Sequence, residues 1–356
     1  MRSLYFFLRR FGMVILGLVF FASGMLKLMD PVGTTLIVDQ YLNFLNLRGL
    51  WAADRAIATI IAGGEALLGA MLLSGVWRKV SGIVTGVVLI VFTILTARLV
   101  VKNPEWDCGC FGEALHLTHM QSLIKNIALC LLAVFVFVPP AGFYRFHKHK
   151  IVAFGLGTAL IALFGVYSHF AIPLIDFTSF APGVHLLDPA HGYEDVTTCP
   201  QLSITDAEDE YASDLLMEGK SLTVSIYKPE KIKDWSFVND AVSLALDAGV
   251  RPLVLVPLAC ELPDGLGEYM YRADYKELLT LNRSNGGLTY ICDGEIVRKW
   301  AYGHAGLSEK PNSRRAAGIP EALSGNPAPV RVRAVSAGRV RFEGLCLGAL
   351  ALLLLI

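Results

Sequence analysis

The chain has 356 residues, of which 54% are apolar and 17% charged, and its mean hydropathy is +0.52. That balance excludes an ordinary soluble protein of this length and puts most of the first half in a bilayer. Lysines plus arginines equal the acids, at 31 each, so no net charge draws the chain to nucleic acid.

Five apolar stretches follow in order, at about 11–29, 56–76, 80–101, 121–140 and 151–175. Each is near the ~20 residues that cross ~30 Å of hydrocarbon as a helix. The first is preceded by Arg2, Arg9 and Arg10, and Ala22-Ser23-Gly24 imitates a cleavage site. The run continues to Met29, however, and four more spans follow, so it reads as an uncleaved first helix. Gly12, Gly17 and Gly24 suit close helix packing. Ser23 and Lys27 share a helix face at i, i+4. Glu65 falls near the middle of the second span, where an ionised group costs ~2.5 kcal/mol or more. It therefore needs a partner, for which Lys27 and Arg98 are the available cations, or a proton. A proton or quinone site and an interhelical polar tie are equally good readings of these three residues.

Between the third and fourth spans lies Asp107-Cys108-Gly109-Cys110-Phe111-Gly112. Two cysteines one glycine apart can cycle between a dithiol and a small, strained disulfide, and strained disulfides are the labile, catalytic ones. A fixed structural disulfide is the competing reading. His116 or His119 is the expected thiol activator, since the adjacent Asp107 would raise a neighbouring thiol pKa. Cys-x-Cys followed by histidines three apart falls outside the usual zinc spacings, so no metal is expected. Trp51, Trp77 and Trp106 stand at span ends as interface anchors, and Cys130 reads as a small residue of the bundle interior.

Basic residues set the orientation. Arg2, Arg9, Arg10, Arg78, Lys79, Arg145, Lys148 and Lys150 fall on one side, expected to be the cytoplasm. The loops at 30–55 and 102–120 fall on the other, and five spans deliver everything after the fifth to that same side, where disulfides persist. A linker rich in Gly, Pro and Asp then leads to a strand at 221–227, a helix at about 231–248 stopped by Gly249, and a strand at 251–258. A second helix at 274–283 and two strands, 288–292 and 295–300, joined at Asp293-Gly294, complete the order β-α-β-α-β-β. That is the core order of a thioredoxin-like domain. A redox-active version needs Cys-x-x-Cys where the first strand meets the first helix. The junction Tyr227 to Trp235 has no cysteine, and Asn285-Gly286-Gly287 stands where a proline is expected. Cys292 reads as a buried strand residue, while Cys199 and Cys260 lie in loops with open connectivity. Residues 309–343 are rich in Arg, Ala, Pro and Gly, and the last twelve, Leu345 to Ile356, are too short to span. The tail from 306 onward is expected to be irregular. Nothing resembles a phosphate-binding loop or a nucleophile triad.

The first span through Pro31, Gly63-Gly64-Glu65-Ala66-Leu67-Leu68-Gly69 in the second, and Asp107 to Gly112 together resemble the DoxX-like membrane family, more narrowly its MauE branch. With Leu281 to Trp300, the chain resembles two-part proteins of Bacteroidetes that join such a bundle to an extracytoplasmic thioredoxin-like domain. The resemblance covers about 1–303. It implies a four-helix bundle with extra helices, thiol or quinone-linked redox, and, for MauE, maturation of a disulfide-rich periplasmic dehydrogenase in methylamine metabolism.

The expected organisation is therefore a transmembrane bundle at 1–140, a fifth transmembrane helix at 141–175, a linker at 176–220, a degenerate thioredoxin-like domain at 221–305 and an irregular tail at 306–356. The expected setting is the bacterial inner membrane, with the N-terminus cytoplasmic and the C-terminal domain periplasmic. The expected function is thiol–disulfide redox or disulfide maturation through Cys108 and Cys110, with quinone as a candidate cofactor and an extracytoplasmic thiol protein or client as partner. A non-enzymatic scaffold with a structural Cys-Gly-Cys loop is the alternative. A transporter is disfavoured by the lack of a visible inverted repeat. On the redox reading, Cys110→Ser should accumulate a mixed disulfide through Cys108.

Overall fold

A computed structural model describes residues 2–47, 55–138, 148–186, 200–232, 235–258, 260, 267–302 and 318–354. The chain divides into two units, Met1–His169 with Glu343–Ile356, and Phe170–Phe342.

The first unit contains α1 (Arg2–Met29), α2 (Pro31–Phe44), α3 (Arg55–Ser74), α4 (Arg78–Lys102), the short strand β1 (Cys110–Glu113), α5 (His119–Phe137) and α6 (Lys148–Phe170). Among the described residues, five stretches, Leu4–Met29, Arg55–Ser74, Arg78–Lys102, His119–Phe137 and His149–Phe170, are long and apolar enough to cross a membrane. They overlap the five expected spans, the first beginning at Leu4 and not near 11, and the fifth ending at Phe170 and not near 175. The fifth ends before Pro173, whose ring disfavours helix in the residue before it. Met13, Leu16 and Phe20 of α1, Leu68 and Leu72 of α3, Leu89 of α4 and Leu129 of α5 form the interior. Outward, Ile83, Val87, Ile90, Leu131 and Leu163 are exposed, a surface that suits lipid and not water. Helices α1 and α3 approach at glycines. A Cβ on Gly24 would lie 2.2 Å from the backbone nitrogen of Ala66, and one on Gly69 would lie 2.3 Å from that of Phe21.

The sequence predicts a plain outer loop at 30–55, but Pro31–Phe44 is helical. Asp30 caps it, its Oδ1 accepting from the Gly33 N–H at 2.9 Å, and Pro31 occupies the first helical position. At the opposite end of α1, Arg9 donates to the Val136 carbonyl and Arg10 to that of Leu73, so both guanidiniums cap helix C-termini. Arg55, opening α3, donates to the carbonyl of His169 in the last turn of α6 at 3.0 Å. Helix α6 therefore ends on the face of the bundle where α3 begins.

The second unit is built on a sheet of six strands, β2 (Ile204–Thr205), β3 (Lys220–Ser225), β4 (Arg251–Pro257), β5 (Met270–Ala273), β6 (Gly287–Cys292) and β7 (Glu295–Trp300), ordered β2-β5-β4-β3-β6-β7. Strands β3, β4 and β5 are parallel, while β6, β7 and β2 run antiparallel to their neighbours. A short helix α7 (Asp214–Met217) precedes β3; α8 (Ser236–Asp247) and α9 (Tyr275–Leu281) follow β3 and β5. Helix α8 buries Phe237, Val238, Ala241, Val242 and Ala245, one stripe at helical spacing, against Val254, Val256 and Leu222. The β6–β7 hairpin turns at Asp293 and Gly294, both left-handed, as a two-residue turn requires.

Two features of this unit depart from expectation. Strands β2 and β5 add an edge that the sequence does not announce, because they are only 2 and 4 residues long. The tail is not irregular where it is described: α10 (Gly318–Ser324) and α11 (Pro327–Leu354) are helices. Ile319, Ala322 and Leu323 of α10 are buried in the sheet's core, and that burial supplies what composition seemed to deny. Cys260 and Cys292 pack against the same core, and Cys199 lies outside the described residues.

Candidate functional site

The Cys108–Cys110 loop is held by a turn that only glycine suits. Gly109 has φ +64 and Gly112 φ +63, and the Gly112 N–H donates to the Gly109 carbonyl at 3.1 Å. A side chain at Gly109 would also run into Ile37 of α2. The turn brings the two sulfurs together, with Sγ atoms 2.8 Å apart, Cys108 buried and Cys110 half-buried.

Helix α2 clasps the loop from one side. The Tyr41 hydroxyl donates to the Cys108 carbonyl at 2.9 Å and lies 3.4 Å from Cys108 Sγ. Trp106 completes the clasp, its ring edge-on to Tyr41 and Phe44 at 5.1 and 6.0 Å. From the bundle, Ser23 Oγ reaches the Cys110 carbonyl at 2.7 Å and Glu65 Oε2 at 2.6 Å, while Lys27 Nζ donates to both Glu65 oxygens at 2.7 and 2.8 Å. All three polar side chains are buried. Ser23 has one proton between two acceptor oxygens. Removing one partner of a buried ion pair such as Lys27–Glu65 costs about 3–5 kcal/mol.

These surroundings split the two thiols. The hydrogen bond from Cys108 holds Cys110 down to about 6, against the opposing effect of burial, and the charges of Lys125 and Lys27 help. The same contact with Cys110, and then burial, drives the Cys108 thiol well above its ordinary range. Burial and the nearby sulfurs also push the Tyr41 phenol up, so it stays a neutral donor. The pair thus presents one thiolate and one thiol, with the Lys125 ammonium 4.8 Å from the Phe111 ring beside it.

Among the expected residues, the structure joins Cys108, Cys110, Lys27 and Glu65 into one cluster. Arg98 is elsewhere, lining a cavity of about 580 Å³ with Phe44, Asn46 and Lys102, and Lys27 supplies the cation for Glu65. The histidines do not activate the thiols. His116 Nδ1 pairs with Asp107 at 2.5 Å on the surface, and His119 Nε2 meets the Pro104 carbonyl at 3.0 Å. Cys108 itself takes most of that role, with lysines from α1 and α5 helping. Nothing local in the sequence singles out Tyr41, Ile37 or Lys125, and only the spacing to Lys27 marks Ser23.

In the second unit, the end of β3 is closed. Asn285 Oδ1 accepts from the Lys228 N–H and its Nδ2 donates to the Lys228 carbonyl, both at 2.9 Å. Gly286, at φ +80, donates to the Ser225 carbonyl at 2.7 Å. The position has no cysteine and is sealed by the Asn285 side chain and by the Gly286 N–H.

A helical membrane bundle with a paired-cysteine loop at one end is the class of protein these features define. Residues 6–139, all within the first unit, match the family model described as methylamine utilisation protein MauE, so this part of the chain is similar to that membrane family. No curated protein and no solved structure matches the chain.

Proposed function

We propose that the protein is a membrane thiol–disulfide exchange protein acting through Cys108 and Cys110. The observation that carries this is the split pair: two sulfurs in contact, Cys110 with its pKa lowered to about 6 by the hydrogen bond from Cys108, helped by Lys125 and Lys27, and Cys108 kept as a thiol. In the reduced form, Cys110 thiolate attacks one sulfur of a partner disulfide. That bond breaks, its leaving thiolate takes up a proton, and a mixed disulfide joins Cys110 to the partner. Cys108 then gives up its proton, attacks Cys110 Sγ, closes the Cys108–Cys110 disulfide and releases the second partner thiolate. Two electrons pass to the partner. The reverse direction oxidises a client dithiol, and a membrane quinone would re-oxidise the pair by taking two electrons and two protons to quinol. The Lys27–Glu65–Ser23 cluster is the group placed to handle those protons.

The orientation that serves this chemistry puts the cysteine loop outside the cytoplasmic membrane of a bacterium. The order and directions of β4-β3-β6-β7 support reading the second unit as thioredoxin-like, and on that reading Asn285 lies where the missing cysteines would stand. It would act by binding a client or redox partner, not by exchanging thiols itself.

The low pKa of Cys110 and the raised one of Cys108 support attack by Cys110 and resolution by Cys108, whereas the sequence-based expectation has Cys108 attack. Cys108→Ser should therefore accumulate a mixed disulfide on Cys110, whereas Cys110→Ser should not, read by non-reducing gels of acid-quenched cells. The scaffold reading has its own support in the ties from Tyr41 and Ser23 to both cysteine carbonyls. If neither variant traps a partner and both lose folded protein alike, the scaffold reading stands and the redox one fails.

A further inference from the structure

We propose that the second unit binds the phosphodiester headgroup of an anionic phospholipid in a cavity lined by Arg283, Arg298 and Arg339. The cavity measures about 300 Å³, at the small end of ligand-binding clefts. The one acid among its described lining residues, Asp176, is already committed: Oδ2 accepts from Lys299 Nζ at 2.6 Å and Oδ1 from the Thr178 N–H at 2.9 Å. Burial pushes that carboxyl up, but Lys299 outweighs it and holds the pKa below the usual range, so the pair is ionised and internally neutral. Arg298 and Arg339 therefore make the described lining cationic, while the Arg283 Nη1 donates to the Leu279 carbonyl. Arg283 is buried, and Arg298, half-buried, stacks its guanidinium 5.0 Å from the Trp300 ring. A cluster of cations around a concave site is the chemistry that takes phosphate, and arginine forks suit its oxygens.

The remaining wall identifies the source of that phosphate. It is Ile172, Pro173, Leu174 and Ile175, and Ile172 follows the end of the last span, Phe170, by two residues. A chain rises at most ~3.6 Å per residue, so this apolar wall begins within about 7 Å of the span's end. A site with cations on one side and apolar residues continuous with a membrane helix on the other fits a lipid headgroup over a soluble phosphate. The redox reading is not needed for any of this.

Full-length protein in neutral-detergent micelles would be titrated separately with phosphatidylglycerol, phosphatidylcholine and inorganic phosphate, with bound ligand read by native mass spectrometry. Phosphatidylglycerol should fill one saturable site that phosphatidylcholine does not. Arg298→Gln with Arg339→Gln should weaken it about 30-fold, two interfacial cations' worth. Arg333→Gln with Arg341→Gln removes the same charge from exposed positions of α11 outside the cavity and should leave affinity unchanged. Equal losses in the two double variants would show diffuse attraction and overturn the site, and inorganic phosphate binding as tightly as the lipid would overturn the headgroup assignment. Arg339 is itself exposed, so Arg339→Gln alone, expected to cost about fivefold, keeps the test open if the double variant misfolds.

Discussion

At the scale of the residue, reactivity follows from which sulfur is the thiolate. Cys110, held near 6, is deprotonated above that pH and protonated below it. Alkylation of Cys110 in the reduced protein should therefore rise with pH through a midpoint near 6 and level off above it, measured as the rate of iodoacetamide labelling. Lys125→Met removes one of the charges responsible and should move the midpoint upward, slowing labelling at pH 7. A wild-type midpoint near 9, the ordinary thiol value, would show that the contacts do not separate the pair. Part of this site is legible in the amino-acid sequence. The Cys-Gly-Cys spacing, the misplaced charge of Glu65 and the i, i+4 relation of Ser23 to Lys27 are local features of the chain. The choice of Lys27 over Arg98, and of lysines over His116 and His119, is not legible there, because those contacts join residues far apart: Lys27 and Glu65 are 38 positions apart, and Tyr41 and Cys108 are 67. Nearness along the chain favours the histidines, yet their own partners, Asp107 and the Pro104 carbonyl, hold them away.

At the scale of the element, the glycine contacts set how closely the bundle can pack. A Cβ at Gly24 meets backbone of α3, which cannot rotate aside, so Gly24→Val should cost about 3 kcal/mol, the upper end for overpacking. Gly63 has nothing within 4 Å of its would-be Cβ, and Gly63→Ala should be neutral or slightly stabilising. Thermal unfolding of both variants in one detergent checks the contrast, and equal losses would place the close contact elsewhere. The long spans are readable because an apolar run of about 20 residues matches the thickness of the hydrocarbon and far exceeds what one face of a soluble helix needs. Helix α2 is hidden by its place in a connecting segment, although Asp30-Pro31 is a proper helix start. Helix α11 is hidden by its composition, since its basic half and its apolar end each look unlike a helix of a folded domain. Leu353, near that apolar end, packs against Gly157 of α6, so tertiary contact supports what local sequence does not.

At the scale of the molecule, the bundle gathers its chemistry at one end. The α2 helix, the Cys108–Cys110 loop, the start of α3 and the end of α6 share a face, and Arg9 and Arg10 cap helices at the other. The two arginines thus have a structural task as well as a place in the charge asymmetry. The thiol chemistry proposed here needs the shared face to lie outside the cytoplasm, where disulfides persist. The measurement that bears most directly on it is the redox state of Cys108 and Cys110 in intact cells. A membrane-impermeant maleimide of large mass would be applied before and after mild reductant. The account predicts a partly oxidised pair that gains label after reductant and shifts when respiration is inhibited, with all of that label acquired before lysis. Thiols that label only after lysis, or a fully oxidised pair that mild reductant leaves untouched, would contradict it.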